Sequence, residues 1–333
     1  MPEPDGPALA NFLTRRGLLT APVELTRIGD GHSNISYLAA ERGAGRRVVV
    51  RRPPAGRGAA YDVLREARTI AAVGSAGFPA PRVFATAEAG EVLDVPLFVM
   101  DFVPGPIVTT QLPPELGSGA ARRAAAESLV DTLAALHALD WTALGLRGRP
   151  DGANRRQRGR FARLVADAAG EPPASFRVLD EWLEAHTPPE SAASVVHSDY
   201  RLGNVVLDPE TTRVRAVLDW ELAAVGDPLV DVGYLLATWA EPGRALTPIE
   251  ELGRATAAPG FPSRRELAER YAVASGRDLD GIAWYVALAY WRLAVLYEYN
   301  RRLAEAGDGD PYYAGPEKVE ALLAAGEQVR AGL

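Results

Sequence analysis

The sequence predicts an α+β chain of two lobes, and three observations carry that expectation. Short β-patterned runs separated by turns fill residues 23–102 around one helical segment. Helical spacing dominates from about residue 120 onward, and a β-rich island, Ser194 to Trp220, interrupts those helices. The expected architecture is a small, mostly antiparallel sheet with one helix at residues 1–103, then a larger helical lobe at 104–333 with a β-hairpin set into it. A chain of 333 residues is long enough for two such cores.

Val23–Ile28 alternates as a strand, followed by the turn-rich Gly29-Asp-Gly-His-Ser-Asn34, the strand Ile35–Ala39, a turn at Gly43–Gly45 and the β-branched Val48–Val50. Pro53-Pro54 stops that strand. Val63, Leu64, Ala67, Ile70 and Ala71 then recur at helical spacing within Tyr61–Val73. Arg82–Thr86 and Pro96–Phe102 read as further strands. Val103-Pro-Gly-Pro106 is the expected hinge, because proline and glycine punctuate it on both sides. Helices are expected over 120–139, 159–168, 176–185, 231–240, 264–274, 281–304 and 317–331.

Composition removes several functions. The chain is 47% hydrophobic and 24% charged with net charge −7, an ordinary folded composition whose acidity argues against general binding to nucleic acid. With no cysteine, disulfide frameworks, Fe–S clusters, zinc fingers and thiol nucleophiles fall away. The four histidines are scattered, with no HExxH spacing. MPEPDGPALANFLTRR does not read as a secretory leader, and the most apolar run, Ile282–Trp291, is cut by Arg292, too short to span a bilayer. The expectation is a soluble cytoplasmic protein without a membrane partner. A dehydrogenase reading fails for want of G-x-G-x-x-G after a first strand and of alternating βαβ units.

The strongest chemical signal is His197-Ser-Asp199-Tyr-Arg-Leu-Gly-Asn204, followed by the apolar Val205–Leu207. A second apolar strand, Ala216-Val217-Leu218, leads into Asp219-Trp220-Glu221. Two strands bracketing a loop would gather Asp199, Asn204 and Asp219, the set phosphoryl transfer needs. One carboxylate orients and deprotonates an acceptor hydroxyl, while an amide and a second carboxylate hold Mg²⁺ against phosphates.

On the blocks HSDYRLGNVVLD and VLDWELAAVGDPLVDVGYLL, the chain resembles the aminoglycoside-phosphotransferase-like family of small-molecule kinases, and within it the kinase-like modules of the acyl-CoA dehydrogenase 10/11 type. The resemblance runs from about Ile28 to Arg301. It implies a bilobal protein-kinase-like fold, ATP or GTP with Mg²⁺ as cofactors, transfer to a small-molecule hydroxyl, Asp199 as base, and Asn204 and Asp219 as metal ligands. Such a kinase drapes backbone N–H groups over the phosphates, and Gly31, Ser33 and Asn34 sit in the turn between the first two strands. Strand alternation puts Val49 and Arg51 on one face, which makes Arg51 the register equivalent of the lysine in V-A-I-K, with Val49 under adenine and Glu66 as the partner acid. Arginine forks onto phosphate but differs in geometry from lysine, and the chain's one lysine is Lys318. Met100 reads as a gatekeeper-like residue, and Asp101 and Val103 as backbone contacts to the base.

Asp227 and Asp231 read as structural supports, and His197 and His137 as interior histidines. Aromatic side chains and Arg292 on the C-terminal helices are candidates to line an acceptor pocket. Glu241, Glu250 and Glu251 would suit an aminoglycoside, whereas arginines would suit a hydroxyacyl-CoA-like acceptor. The alternative from another class is a catalytically weak or inactive nucleotide-binding protein with a regulatory or scaffold role, motivated by Arg51.

Overall fold

Five antiparallel strands form the first sheet: β1 (Val23–Ile28), β2 (Ile35–Glu41), β3 (Arg47–Arg52), β4 (Val83–Ala87) and β5 (Leu97–Asp101), in the order β1-β2-β3-β5-β4. The computed structural model describes residues 6–29, 34–43, 45–54, 62–149, 151–167, 170–243 and 245–331. Tyr37 and Ala39, Val48 and Val50, and Leu97 and Val99 point to one face of the sheet. There they bury Leu9, Phe12 and Leu13 of an N-terminal helix, α1 (Gly6–Arg15). Period-two alternation therefore turns Val49 and Arg51 to the opposite face, where α2 (Val63–Ser75) places Glu66. Asp62 caps α2 by accepting the Arg65 N–H at 2.7 Å, which sets Glu66 in its first turn.

Sequence spacing predicts one helix in this region. The structure has two, because Leu9, Phe12 and Leu13 recur at i, i+3 and i+4 and cover an otherwise bare sheet face.

The chain divides into two compact units, Met1–Gly105 with Arg215–Ala223, and Pro106–Val214 with Ala224–Leu333. This differs from the expected single break after Val103, since a segment far along the chain packs with the sheet. Its ties are physical: the Val217 N–H donates to the Pro79 carbonyl at 2.8 Å, and Trp220 meets Phe78 edge-on at 5.7 Å. Arg65 of α2 donates to the Glu221 and Ala223 carbonyls, at 2.8 Å each.

In the second unit α9 (Ile282–Glu305) is buried around nearly its whole circumference from Trp284 to Val295. Packed on it are α4 (Ala153–Val165), α5 (Ala174–Ala185), α6 (Leu229–Thr238) and α10 (Glu317–Ala331). A helix apolar on all sides must be an interior helix, and this one is. Outside it, α3 (Gly119–His137) packs on α8 (Arg264–Ser275), and the short α7 (Pro248–Leu252) adjoins α6. The short strands β6 (Ser194–Val196) and β9 (Ala224–Gly226) pair antiparallel. Between them lie β7 (Val205–Leu207) and β8 (Val214–Val217), linked by a turn that the Asp208 N–H closes onto the Arg213 carbonyl at 2.8 Å. Among the described residues no helix is long and apolar enough to cross a membrane.

Candidate active site

In the first unit, Arg51 gathers three carboxylates. Its Nε donates to Glu66 at 3.0 Å, and its Nη2 donates to Asp219 at 2.6 Å and Glu221 at 3.0 Å. Asn34 donates its amide to Glu221 at 2.9 Å and to Glu66 at 3.4 Å. Asp219 reaches this cluster from a left-handed backbone, φ +65, that few residues other than glycine adopt. Trp220 beside it anchors the bend, its indole N–H donating to the Val217 carbonyl.

Burial pushes the Glu66 carboxyl up to about 7; Arg51 opposes this, while the Asp219 and Glu221 charges add to it. Burial works against the charge on Arg51, yet Glu66, Asp219 and Glu221 together hold its pKa above the usual guanidinium value.

The second unit supplies a loop pinned by one aspartate. Asp231, at the start of α6 and fully buried, accepts the backbone N–H groups of His197 and Ser198 at 2.6 Å each and faces His137 Nε2 at 3.2 Å. Burial alone would raise the Asp231 pKa, but His137, His197 and these N–H donors hold it below the ordinary carboxylate range. Ser198 takes φ +68 at the bend, so Asp231 stabilises a conformation that serine rarely adopts. His137 is closed on its other side by the Tyr271 hydroxyl at 2.7 Å. His197 accepts the Asp199 N–H on Nδ1 at 3.3 Å. Asp227 is engaged by Asn154, Ser191, Tyr285 and the Leu229 N–H.

A short 3-10 turn, Leu202–Asn204, brings Asn204 back over the loop. Its amide nitrogen donates to Asp199 Oδ2 at 2.7 Å and to the Asp199 carbonyl at 2.8 Å. Asp199 Oδ1 is buried with no hydrogen-bond partner, and the nearest cation, Arg201 Nε, stands 3.7 Å away.

Of the residues singled out from sequence, Arg51, Glu66, Asp219 and Asn34 meet in one unit, and Asp199 and Asn204 meet in the other. Val49 and Met100 face each other across β3 and β5, both buried. The Asp101 N–H is taken by the Arg82 carbonyl at 2.8 Å, so that group is not open to a ligand. Val103 follows β5, half-buried. Gly31 and Ser33 lie outside the described residues. Asn34 is turned onto carboxylates, away from the role of phosphate donor expected for it. Sequence reasoning missed Glu221 as a partner of Arg51; the signal was its place two residues after Asp219. Glu250 and Glu241 are also not free carboxylates, since both are engaged by Arg264, and Glu251 pairs with Arg254.

Within each unit, taken by itself, the carboxylate and amide oxygens are of the kind Mg²⁺ accepts, a hard cation that takes one or two protein oxygens and keeps phosphate and water as its other ligands. Asn204 has committed its amide nitrogen to Asp199, which leaves the amide oxygen. In the first unit, taken by itself, the Asp219 carboxylate is paired with Arg51; in the second, Asp199 Oδ1 accepts no hydrogen bond and lies 3.7 Å from Arg201 Nε. Among the described residues no cluster of three or more His, Asp or Glu forms a ready-made metal cage. An ion that shares its coordination with phosphates needs none.

An antiparallel sheet carrying an Arg–Glu pair, with a mainly helical region carrying an Asp–Asn loop, places the molecule among proteins of kinase-like fold. The chain belongs to the phosphotransferase enzyme family APH, whose model matches residues 24–285. It is similar over its whole length to a candidate aminoglycoside phosphotransferase from Ralstonia eutropha JMP134, with TM-score 0.78, 27% identity and 98% of each chain covered. Aminoglycoside phosphotransferase APH(4)-Ia, solved with AMP-PNP and hygromycin B, shares the fold at TM-score 0.62 and 19% identity, with 98% of this chain and 100% of that one covered. Acyl-CoA dehydrogenase family member 10 of Mus musculus is 30% identical over 89% of this chain and 28% of its own length. Member 11 of Homo sapiens is 30% identical over 81% of this chain and 35% of its own length. The chain thus spans about a third of the length of these curated relatives.

Proposed function

We propose that this protein is an ATP- and Mg²⁺-dependent small-molecule kinase that moves the γ-phosphoryl group onto an acceptor hydroxyl. The observation that carries the reading is the state of Asp199. Asn204 occupies one carboxylate oxygen, and the other is buried, accepts no hydrogen bond and lies 3.7 Å from Arg201 Nε, within a loop held by Asp231. A carboxylate so placed is oriented before its substrate arrives, which is most of what phosphoryl transfer asks of a protein.

In this reading the first unit binds nucleotide and the second holds the catalytic loop and the acceptor. Val49 and Met100 pack on the base, with the backbone of Asp101 and Val103 at its edge. Asn34 reaches the phosphates once it leaves Glu66 and Glu221. Arg51, oriented by Glu66, forks onto phosphate oxygens. Asn204 and Asp219 would hold Mg²⁺, which when bound neutralises charge on the phosphate oxygens.

The acceptor oxygen forms the new bond to the γ-phosphorus as the bond to the β-bridging oxygen breaks, and ADP departs. The hydroxyl proton passes to Asp199 Oδ1, because Oδ2 already accepts the Asn204 N–H. The alternative of an inactive kinase-fold protein rests on Arg51. Its buried 3.0 Å pair with Glu66 keeps the arrangement a lysine would serve, which supports the catalytic reading. The test is ADP release across a panel of hydroxyl compounds, with a thermal shift for Mg·ATP. Asp199→Asn should keep the thermal shift and lose about 10²–10⁴ in turnover; full turnover by that variant would refute the assignment.

A further inference from the structure

Five arginines are buried among the described residues: Arg51, Arg52, Arg158, Arg264 and Arg292. Four commit guanidinium N–H groups to protein acceptors. Arg51 donates to Glu66, Arg52 to the Tyr37 hydroxyl, Arg158 to Asp180 and Arg264 to the Trp239 carbonyl. Arg292, only 6% exposed, forms no hydrogen bond or ion pair with any described residue, and its Nε is fully enclosed without a partner. An unmatched buried guanidinium is among the costliest groups an interior can hold.

Its surroundings make the mismatch larger. The Arg292 guanidinium lies over the Phe161 ring at 4.8 Å, and the exposed Arg160 lies over the same ring at 5.5 Å. Two cations therefore share one aromatic side chain. Arg292 is within electrostatic reach of Asp199, Asp231 and Tyr234. Neither carboxylate pairs with it: Asp231 is committed to His137, His197 and Ser198, while Asp199 gives Oδ2 to Asn204 and keeps Oδ1 3.7 Å from Arg201 Nε. Burial, with Arg160 adding to it, pulls the Arg292 pKa down, while Tyr234, Asp231 and Asp199 oppose the shift. Glu241 and Glu250, the acids suited to a polyamine acceptor, are taken by Arg264.

We propose that Arg292 is the acceptor-recognition residue of this protein and that the acceptor is an alcohol bearing an oxyanion, a carboxylate or a phosphate. The guanidinium forks onto that oxyanion while the hydroxyl is presented to Asp199. The role of the hydroxyl rests on the phosphotransferase reading above; the anion site does not.

The experiment uses one carbon skeleton with three charges, β-hydroxybutyrate, its diol and its amino alcohol, together with glycerol phosphate as the phosphate arm. Thermal shift and coupled ADP release are measured on wild type and Arg292→Met. The expected result is a thermal shift with β-hydroxybutyrate, glycerol phosphate or both, and none with the diol or amino alcohol. Arg292→Met should lose that shift, raise KM for the responding acceptor about ten- to hundredfold with a smaller effect on kcat, and melt no lower than wild type. A shift that persists in Arg292→Met, no shift with either oxyanion, or a marked fall in Tm on substitution (the mark of a structural cation–π strut) would each overturn the proposal. An Arg292-dependent oxyanion shift without ADP release from any probe keeps the anion site and removes the kinase reading. ADP release from the diol or amino alcohol, independent of Arg292, does the reverse.

Discussion

Replacing Glu66 by glutamine tests the electrostatics of the Arg51 cluster directly. Glu66 is buried beside one guanidinium and two further carboxylates, and its carboxyl is pushed up from 4.5 to about 7. A carboxyl that titrates higher in the folded chain than in the unfolded one binds its proton more tightly when folded. Its stabilising contribution is complete below pH 4.5 and is lost as pH rises through about 7. Each tenfold gain in proton affinity is worth about 1.4 kcal/mol, so roughly 2–3 kcal/mol should disappear between pH 5 and pH 8. The glutamine side chain does not titrate, so Glu66→Gln should match wild type near pH 5 and exceed it by about that amount at pH 8. Native-state hydrogen exchange of the β3 and α2 amides reads the unit that contains the cluster and avoids assuming that both units unfold together. A difference between variant and wild type that stays flat from pH 5 to pH 8 would refute the reasoning.

Three further outcomes follow from the geometry. Asp231→Asn replaces two acceptor oxygens by one, so a buried N–H of His197 or Ser198 loses its partner; urea unfolding should show a cost of about 1–3 kcal/mol. Arg51→Lys keeps a cation for Glu66 but cannot fork to Asp219 and Glu221 as well, and the thermal shift produced by Mg·ATP should change while apo protein stays folded. Phe12→Ala empties a position buried between α1 and the sheet and should cost about 3–5 kcal/mol by denaturant unfolding, with acceptor recognition unaltered.

The sheet is legible in the sequence because alternation is a local signal, and the same alternation sets Arg51 on the face that meets Glu66. The Asp199–Asn204 pair is legible because so short a spacing suffices to fold one residue back on the other. What escapes depends on partners distant in sequence. β9 is three residues long and exists by pairing with β6, far earlier in the chain, so no local periodicity announces it. The part played by Glu221 requires the left-handed turn at Asp219, which sequence spacing does not encode. The apolar face of α1 is present in its spacing, but the surface it covers exists only once the sheet has formed. Arg292 is visible as an interruption in an apolar helix; that its guanidinium finds no acceptor is a fact about three helices at once.

Arg51 and Arg292 stand in opposite electrostatic settings, and the contrast has a chemical logic. Around Arg51, three carboxylates face one fixed cation, so the first unit carries an excess of negative charge even when Glu66 keeps its proton. Such an excess is unfavourable for the protein alone and is relieved by a divalent cation, whose charge also makes polyphosphate tolerable beside acids. Around Arg292 the imbalance has the other sign, two guanidiniums over one ring and, among the described residues, no carboxylate paired with Arg292. Each imbalance costs stability in the unliganded chain, and in the proposed reading a different reactant would match each: metal-bound nucleotide in the first unit, oxyanionic alcohol in the second. A protein that neutralised both internally would be more stable and would bind neither partner well. Stability should therefore rise on adding Mg·ATP and the oxyanionic acceptor separately, through different residues, with Arg292→Met abolishing only the second effect.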